Sequence, residues 1–428
     1  MSFRRGWIAV FLFTLIMINY TDRVALSVAA KPIAGEFGLS PVTMGYLLSS
    51  FTWTYILGLI PVGILVDRYG GKIVGGAGIG LWSAATVLTG VSTSWLFLGA
   101  TRLVMGFGEA TSFPSALRVI RDWIPSGERG MVMSIVGSGA AAGPGFGALV
   151  VAALIGLFDW RVGFFCVGAI GFVWLACWIR WFGPPEQVGW LAPAERAKIL
   201  AERPPAAAPE DREPGSSMAG LLAQRSVWGL FFTHGCEAYG GYMLVAWLPS
   251  YLASVKHLDV VNAGFMTAVP FFAAMVLSIL LGRISDRMLS GHAVGGGRRR
   301  LMIAALMIVS SVILLVPAVD NIWAIGTLIA ISKSTGLSAA SLNFSLTNDL
   351  VRHPRDIGRV GGIQTLGANL FGVTGPIVTG YVIAYTGRFD ATFWIAGGLT
   401  LIGAVVAIVV TRAPIEYRPA LQAQPLPV

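Results

Sequence analysis

The chain has 428 residues, of which 55% are hydrophobic and 12% charged. Soluble domains carry about 25% charged residues, so this chain has about half the charge needed to cover a water-facing surface, which excludes a soluble enzyme. The formal net charge of +9 could suit nucleic acid, but the basic residues are scattered through short loops between apolar stretches, and that partner is excluded too.

Apolar windows long enough to cross a lipid bilayer recur along nearly the whole length. They predict twelve spans, at 7–30, 43–66, 73–93, 95–117, 131–157, 162–182, 227–253, 263–282, 301–319, 322–347, 360–386 and 391–411. The first is preceded by MSFRR but runs on without a small-residue cleavage site, so it reads as a retained helix. The series breaks once, between Gly183 and Arg225, where seven prolines and mixed charge mark a linker, helical near Ala192–Ala201 and otherwise loose. The predicted organisation is an all-α membrane protein with a six-helix half at 1–182, a linker at 183–225, a second six-helix half at 226–412 and a tail at 413–428. Cys166, Cys177 and Cys236 all fall inside spans with no paired or metal-ligand spacing, so they read as small core residues.

Orientation follows from Lys and Arg placement, because positively charged loops stay cytoplasmic. With both termini inside, cytoplasmic segments hold 23 of the 30 basic residues and the outer loops only Lys31, Arg161, Lys256 and Arg388. The halves also echo one another. Gly63-Ile-Leu-Val-Asp67-Arg68 after span 2 returns as Gly282-Arg-Ile-Ser-Asp286-Arg287 after span 8, and Gly143-Pro144 in span 5 returns as Gly375-Pro376 in span 11. Two unrelated motifs repeating in this way imply a duplicated half.

Six charges remain inside the spans: Asp22, Arg23, Arg102, Glu109, Glu237 and Lys333, on spans 1, 4, 7 and 10. A charge at the bilayer centre costs about 2.5–3.5 kcal/mol, so these six must pair or face water. At ~1.5 Å per residue, Asp22 and Arg102 lie at similar depth, ~10–12 Å below the outer boundary, which predicts an Asp22–Arg102 salt bridge. Glu109 follows two turns after Arg102 on the same face, and the long Arg23 side chain can reach Glu109 or a bound anion. Glu237 and Lys333 either neutralise each other across the cavity, or Lys333 binds a second acidic group of a substrate with Glu237 as its counter-ion in the empty state.

The pattern Gly63-x-x-x-Asp67-Arg68-x-Gly70-x-Lys72, with twelve spans and a central linker, resembles the major facilitator superfamily. Asn19-Tyr20-Thr21-Asp22-Arg23 in span 1, joined to Arg102-x-x-x-Gly106-x-x-Glu109 in span 4, resembles its anion:cation symporter branch, which includes galactonate, hexuronate, glucarate and phthalate transporters and the sialins. The resemblance implies alternating access in a bacterial inner membrane by a monomer, with Asp22 and Glu109 carrying coupling protons. It also implies that Arg23 contributes to the anion site, with Tyr20, Tyr55 and Asn369 contacting a small organic anion, and that spans 1, 4, 7 and 10 face the central cavity. Span 5 carries no amide where relatives often have a glutamine, which favours a less hydroxylated acid. The loop signature suggests a latch in which Asp67, Arg68 and Lys72 meet the opposite half, with Asp286 and Arg287 as a weaker counterpart.

No phosphate-binding Gly-x-x-x-x-Gly-Lys-Ser/Thr occurs, so the expected energy source is the proton gradient, with no cofactor. His234, His257, His292 and His353 are too scattered for an enzyme or metal site. A drug or metabolite antiporter is the alternative, because Gly139-x-x-x-Gly143-Pro144-x-x-Gly147 resembles an antiporter signature, although its cationic cargo suits a more acidic cavity.

Overall fold

The computed structural model describes residues 3–202, 215–289 and 297–418. The N-terminal half contains α1 (Phe3–Val28), the short α2 (Ala30–Phe37), α3 (Pro41–Gly90), α4 (Trp95–Glu109), α5 (Ser112–Trp123), α6 (Arg129–Leu157) and α7 (Trp160–Trp181). The linker carries α8 (Pro193–Glu202) and α9 (Met218–Leu222). The C-terminal half contains α10 (Arg225–Ser254), α11 (Val260–Leu289), α12 (Arg298–Ser310, continuing as 3₁₀ over Ser311–Ala318), α13 (Ile322–Leu350), α14 (Asp356–Thr386) and α15 (Asp390–Val409).

Among the described residues, nine helices are long and apolar enough to cross a membrane by themselves. The chain nevertheless crosses twelve times, because three expected spans are hidden. Spans 2 and 3 merge in the 50-residue α3, which turns at Gly70 in a left-handed conformation (φ 81°) that suits glycine. Its two limbs run back along each other, for a Cβ on either Gly58 or Gly78 would touch the Ala110–Thr111 region. Span 4 is broken after Glu109 into α4 and α5, where the Thr111 and Ser112 hydroxyls donate to the carbonyls of Gly108 and Glu109. Span 7 is α10, interrupted by polar residues such as His234 and Glu237. Local chemistry sets several helix starts: Ser40, Ser94, Asp159 and Asn321 accept backbone N–H bonds as N-caps of α3, α4, α7 and α13.

The repeated glycines dock equivalent helices in the two halves. A methyl on Gly139, Gly143 or Gly147 of α6 would come within 2.7 Å of α1, and one on Gly367 or Gly375 of α14 within 2.9 Å of α10. Small residues let these helix pairs approach closely without water to drive them together. The antiporter-like glycine run is therefore occupied in packing α6 on α1.

Named contacts between the halves lie at the end remote from the chain termini. A Cβ on Gly45 would sit 2.6 Å from Pro376 O and one on Gly380 2.5 Å from Pro41 O, while Gly145 of α6 meets the Phe272 ring of α11. The Tyr46 and Tyr381 hydroxyls are 3.4 Å apart across the halves, and within the C-terminal half Trp247 donates to the same Pro376 O at 3.0 Å. Gly45→Trp is therefore expected to hold the halves apart here. The measurement is thiol labelling of a Tyr381→Cys background from that side, which should rise several-fold; unchanged labelling would count against this contact as the closing surface. Just outside, Arg161 and Trp160 donate to Glu36 of α2 and hold its carboxyl down at about 2, so the pair stays charged near neutrality.

Two expectations need correction. Much of the linker is packed: Val188, Leu191 and Ile199 join the core of the N-terminal half and Trp190 stacks on Trp123 at 5.3 Å. At its other end, Ser216 donates to the buried Asp356 carboxylate and accepts from Arg418 N, tying linker, α14 and tail together. The loop signature, for its part, does not latch onto the opposite half. Asp67 is 85% exposed and lies 3.8 Å from Arg118 of its own half, Arg68 stacks on Tyr69, and Lys72 O accepts from Trp178. The reason is the arrangement above, with the halves meeting at the other end. The Asp286 side chain lies outside the described residues, and Arg287 sits in the last turn of α11.

Candidate transport site

The N-terminal half gathers four of the six membrane charges. Arg23 Nε donates to Glu109 Oε2 at 2.8 Å, with the two side chains 5% and 0% exposed. The Arg23 guanidinium also sits over three rings, at 4.4 Å from Tyr20, 5.0 Å from Tyr55 and 5.1 Å from Phe51. Aromatic faces attract a cation without supplying the second hydrogen bond it can make. Arg23 Nη2 and Glu109 Oε1 accordingly remain buried without hydrogen-bond partners.

The predicted Asp22–Arg102 salt bridge is not formed. Asp22 Oδ1 accepts from Thr86 Oγ1 at 2.9 Å, while Arg102 Nη1 reaches the backbone carbonyl of Asp22 at 3.4 Å and Met105 Sδ at 3.2 Å. Arg102 also lies over Phe51, and its Nε and Nη2 are buried without partners. Depth alone suggested the pair, but the rotation of α1, fixed by the glycine run of α6, turns Asp22 toward the second limb of α3 and Arg23 toward Glu109.

Tyr242 of α10 joins this cluster from the other half, within electrostatic reach of Arg23, Tyr20, Tyr55 and Glu109. Its hydroxyl donates to Asn369 Oδ1 at 3.1 Å, and Asn369 Nδ2 donates to Thr365 O. Tyr20, Tyr55 and Tyr242 are part-exposed, so they form the rim, with Arg23 beneath them and Glu109 behind. Glu237 and Lys333 do not join it. They line a separate cavity between α10, α12, α13 and α15. His234 packs edge-on against Phe344 at 4.9 Å.

Sequence reasoning missed Phe51, Thr86 and Tyr242. Phe51 was reachable, standing one turn before Tyr55 on the same helical face. Nothing local marks Thr86 or Tyr242, whose roles depend on helices distant in sequence.

The Major Facilitator Superfamily model matches residues 12–355 and 263–428. The chain belongs to the major facilitator superfamily. It is 31% identical over 408 residues to a D-galactonate transporter of Escherichia coli, with 94% of each chain covered. It is 30% identical to sodium-dependent phosphate transport protein 1, chloroplastic, of Arabidopsis thaliana, covering 95% of this chain and 79% of that one. Its fold is similar to that of a bacterial homologue of the human lysosomal transporter Spinster in an inward-facing, occupied conformation, with TM-score 0.71 at 19% identity over 96% of this chain and 98% of that one. As a member of this superfamily the protein is an integral membrane transporter and not an enzyme. Among the described residues no group of three or more His, Cys, Asp or Glu could hold a metal ion.

Proposed function

We propose that the protein is a proton-coupled symporter for a small organic anion bearing a carboxylate, working by alternating access as a monomer in a bacterial inner membrane. The observation that carries this reading is the buried Arg23–Glu109 pair under a tyrosine rim contributed by both halves. A guanidinium with a spare donor is suited to a carboxylate, which can take two parallel hydrogen bonds from it. When the anion arrives it competes for Arg23, and Glu109 is left in a low-dielectric site where its charged form is disfavoured. Proton uptake by Glu109 follows, so substrate and proton enter together. Asp22, bonded to Thr86 and close to Arg102, is the second proton carrier.

With both termini cytoplasmic, the contacts between Gly45 and Pro376 and between Gly145 and Phe272 seal the outer side, and the conformation is inward-facing. Tyr20, Tyr55 and Asn369 contact the substrate once the Tyr242–Asn369 bond opens. Sugar acids, aromatic acids and dicarboxylates all carry the required group, and D-galactonate is the relative-derived member to test first. The test is uptake into proteoliposomes under an imposed pH gradient. One pH unit is equivalent to about 1.4 kcal/mol, so accumulation of about tenfold per coupled proton is expected, abolished by a protonophore. Uptake indifferent to the protonophore, for every acid transported, would contradict proton coupling.

A further inference from the structure

The cavity between α10, α12, α13 and α15 has a volume of about 20 Å³, room for about one water. Glu237, Lys333, Ser332 and Thr400, within their helices, and Ser310, at the end of α12, line it, and no residue of the N-terminal half does. The Lys333 ammonium lies against Gly241, where a Cβ would be 2.7 Å from Nζ, and Glu237 Oε1 lies against Gly336. Neither charge makes a direct ion pair among the described residues, and carboxylate and ammonium line the same water-sized space. Two of the three hydroxyls around them are already committed as donors: Ser310 Oγ donates to Ser332 O at 2.8 Å and Thr400 Oγ1 to Ala396 O at 2.9 Å. What they turn to the cavity is oxygen lone pairs. Carboxylate plus hydroxyl oxygens around a volume of this size is a donor set for a small monovalent cation, and the charge that reaches it is the tethered ammonium.

We propose that this cavity is a monovalent-cation site in which the Lys333 ammonium, at its wall, permanently takes the cation's place. The C-terminal half is thereby neutralised without a soluble cation, and the coupling ions of the proposed symport, on which this last point rests, enter through the N-terminal half alone. Lys333 is a positioning residue for Glu237 and does not contact substrate.

The experiment is thermal unfolding of the purified full-length protein in detergent, without substrate, in choline chloride against equal ionic strengths of sodium or ammonium chloride. The wild type should melt at the same temperature in all three. Lys333→Ala should melt lower in choline and recover by about 3 °C or more in ~100 mM sodium or ammonium, and Glu237→Gln added to it should remove the recovery. An unresponsive Lys333→Ala, a wild type that responds equally, or a response that survives Glu237→Gln would each overturn the proposal. Should Lys333→Ala not fold, the neutral pair Glu237→Gln with Lys333→Met decides: melting at or above wild type supports charge compensation in the cavity, and melting below it refutes it. Because the melts need no transported acid, a failure here is distinguishable from a failure of proton-driven uptake.

Discussion

Glu109→Gln is expected to abolish concentrative uptake while leaving substrate exchange measurable. Gln keeps a carbonyl oxygen to accept from Arg23 Nε at the 2.8 Å position now held by Oε2, so the local geometry survives. What disappears is the group that gains a proton when Arg23 turns to the anion. Under a one-unit pH gradient, accumulation should fall from about tenfold per coupled proton toward equality. Counterflow of labelled substrate between the two sides, which needs no net proton movement, should persist. Undiminished accumulation in Glu109→Gln would remove Glu109 from the coupling route. If accumulation and counterflow were both lost, Glu109 would be a structural partner of Arg23 only.

Arg23→Ala should eliminate anion binding. The substitution removes the charge with an unpartnered Nη2 beneath the tyrosine rim and leaves a fully buried carboxylate without its counter-ion. Removing one member of a buried pair costs about 3–5 kcal/mol, so the melting temperature should drop as well. The two effects separate in a ligand titration: acids that raise the wild-type melting temperature should produce no rise in Arg23→Ala at any concentration tested. Arg23→Lys is the informative control. It keeps a positive charge for Glu109 but loses the planar fork and the stacking on Tyr20, Tyr55 and Phe51, so it should restore more stability than affinity. A wild-type titration curve in Arg23→Ala would place the anion elsewhere.

Placement explains why these two substitutions outrank the others. Arg23 and Glu109 come from α1 and α4, and the tyrosines above them come from α1, α3 and α10, so the one buried ion pair lies under side chains drawn from both halves. The Gly45 contact acts only at the closed end, and the Glu237–Lys333 cavity lies wholly within one half.

Hydropathy and charge placement in the sequence sufficed for a polytopic helical membrane protein with twelve crossings, a duplicated half and six membrane charges, because the bilayer penalises exposed backbone and unpaired charge at every position. The motif residues from Asn19 to Arg23 and from Arg102 to Glu109 also include Tyr20, Arg23 and Glu109, which the structure brings together. Partner choice was decided only by the tertiary structure. Asp22 and Arg23 are adjacent in sequence and stand at nearly the same depth, but they point about 100° apart around α1. Counting residues from a span's end supplies the depth and not the rotation. That rotation is set by Gly139, Gly143 and Gly147 of α6 fitting against α1, more than a hundred residues away, and it turns Arg23 to Glu109 and Asp22 to Thr86. Packing likewise separates Lys333 from the Arg23 cluster, since α10, α12, α13 and α15 direct it into their shared interior.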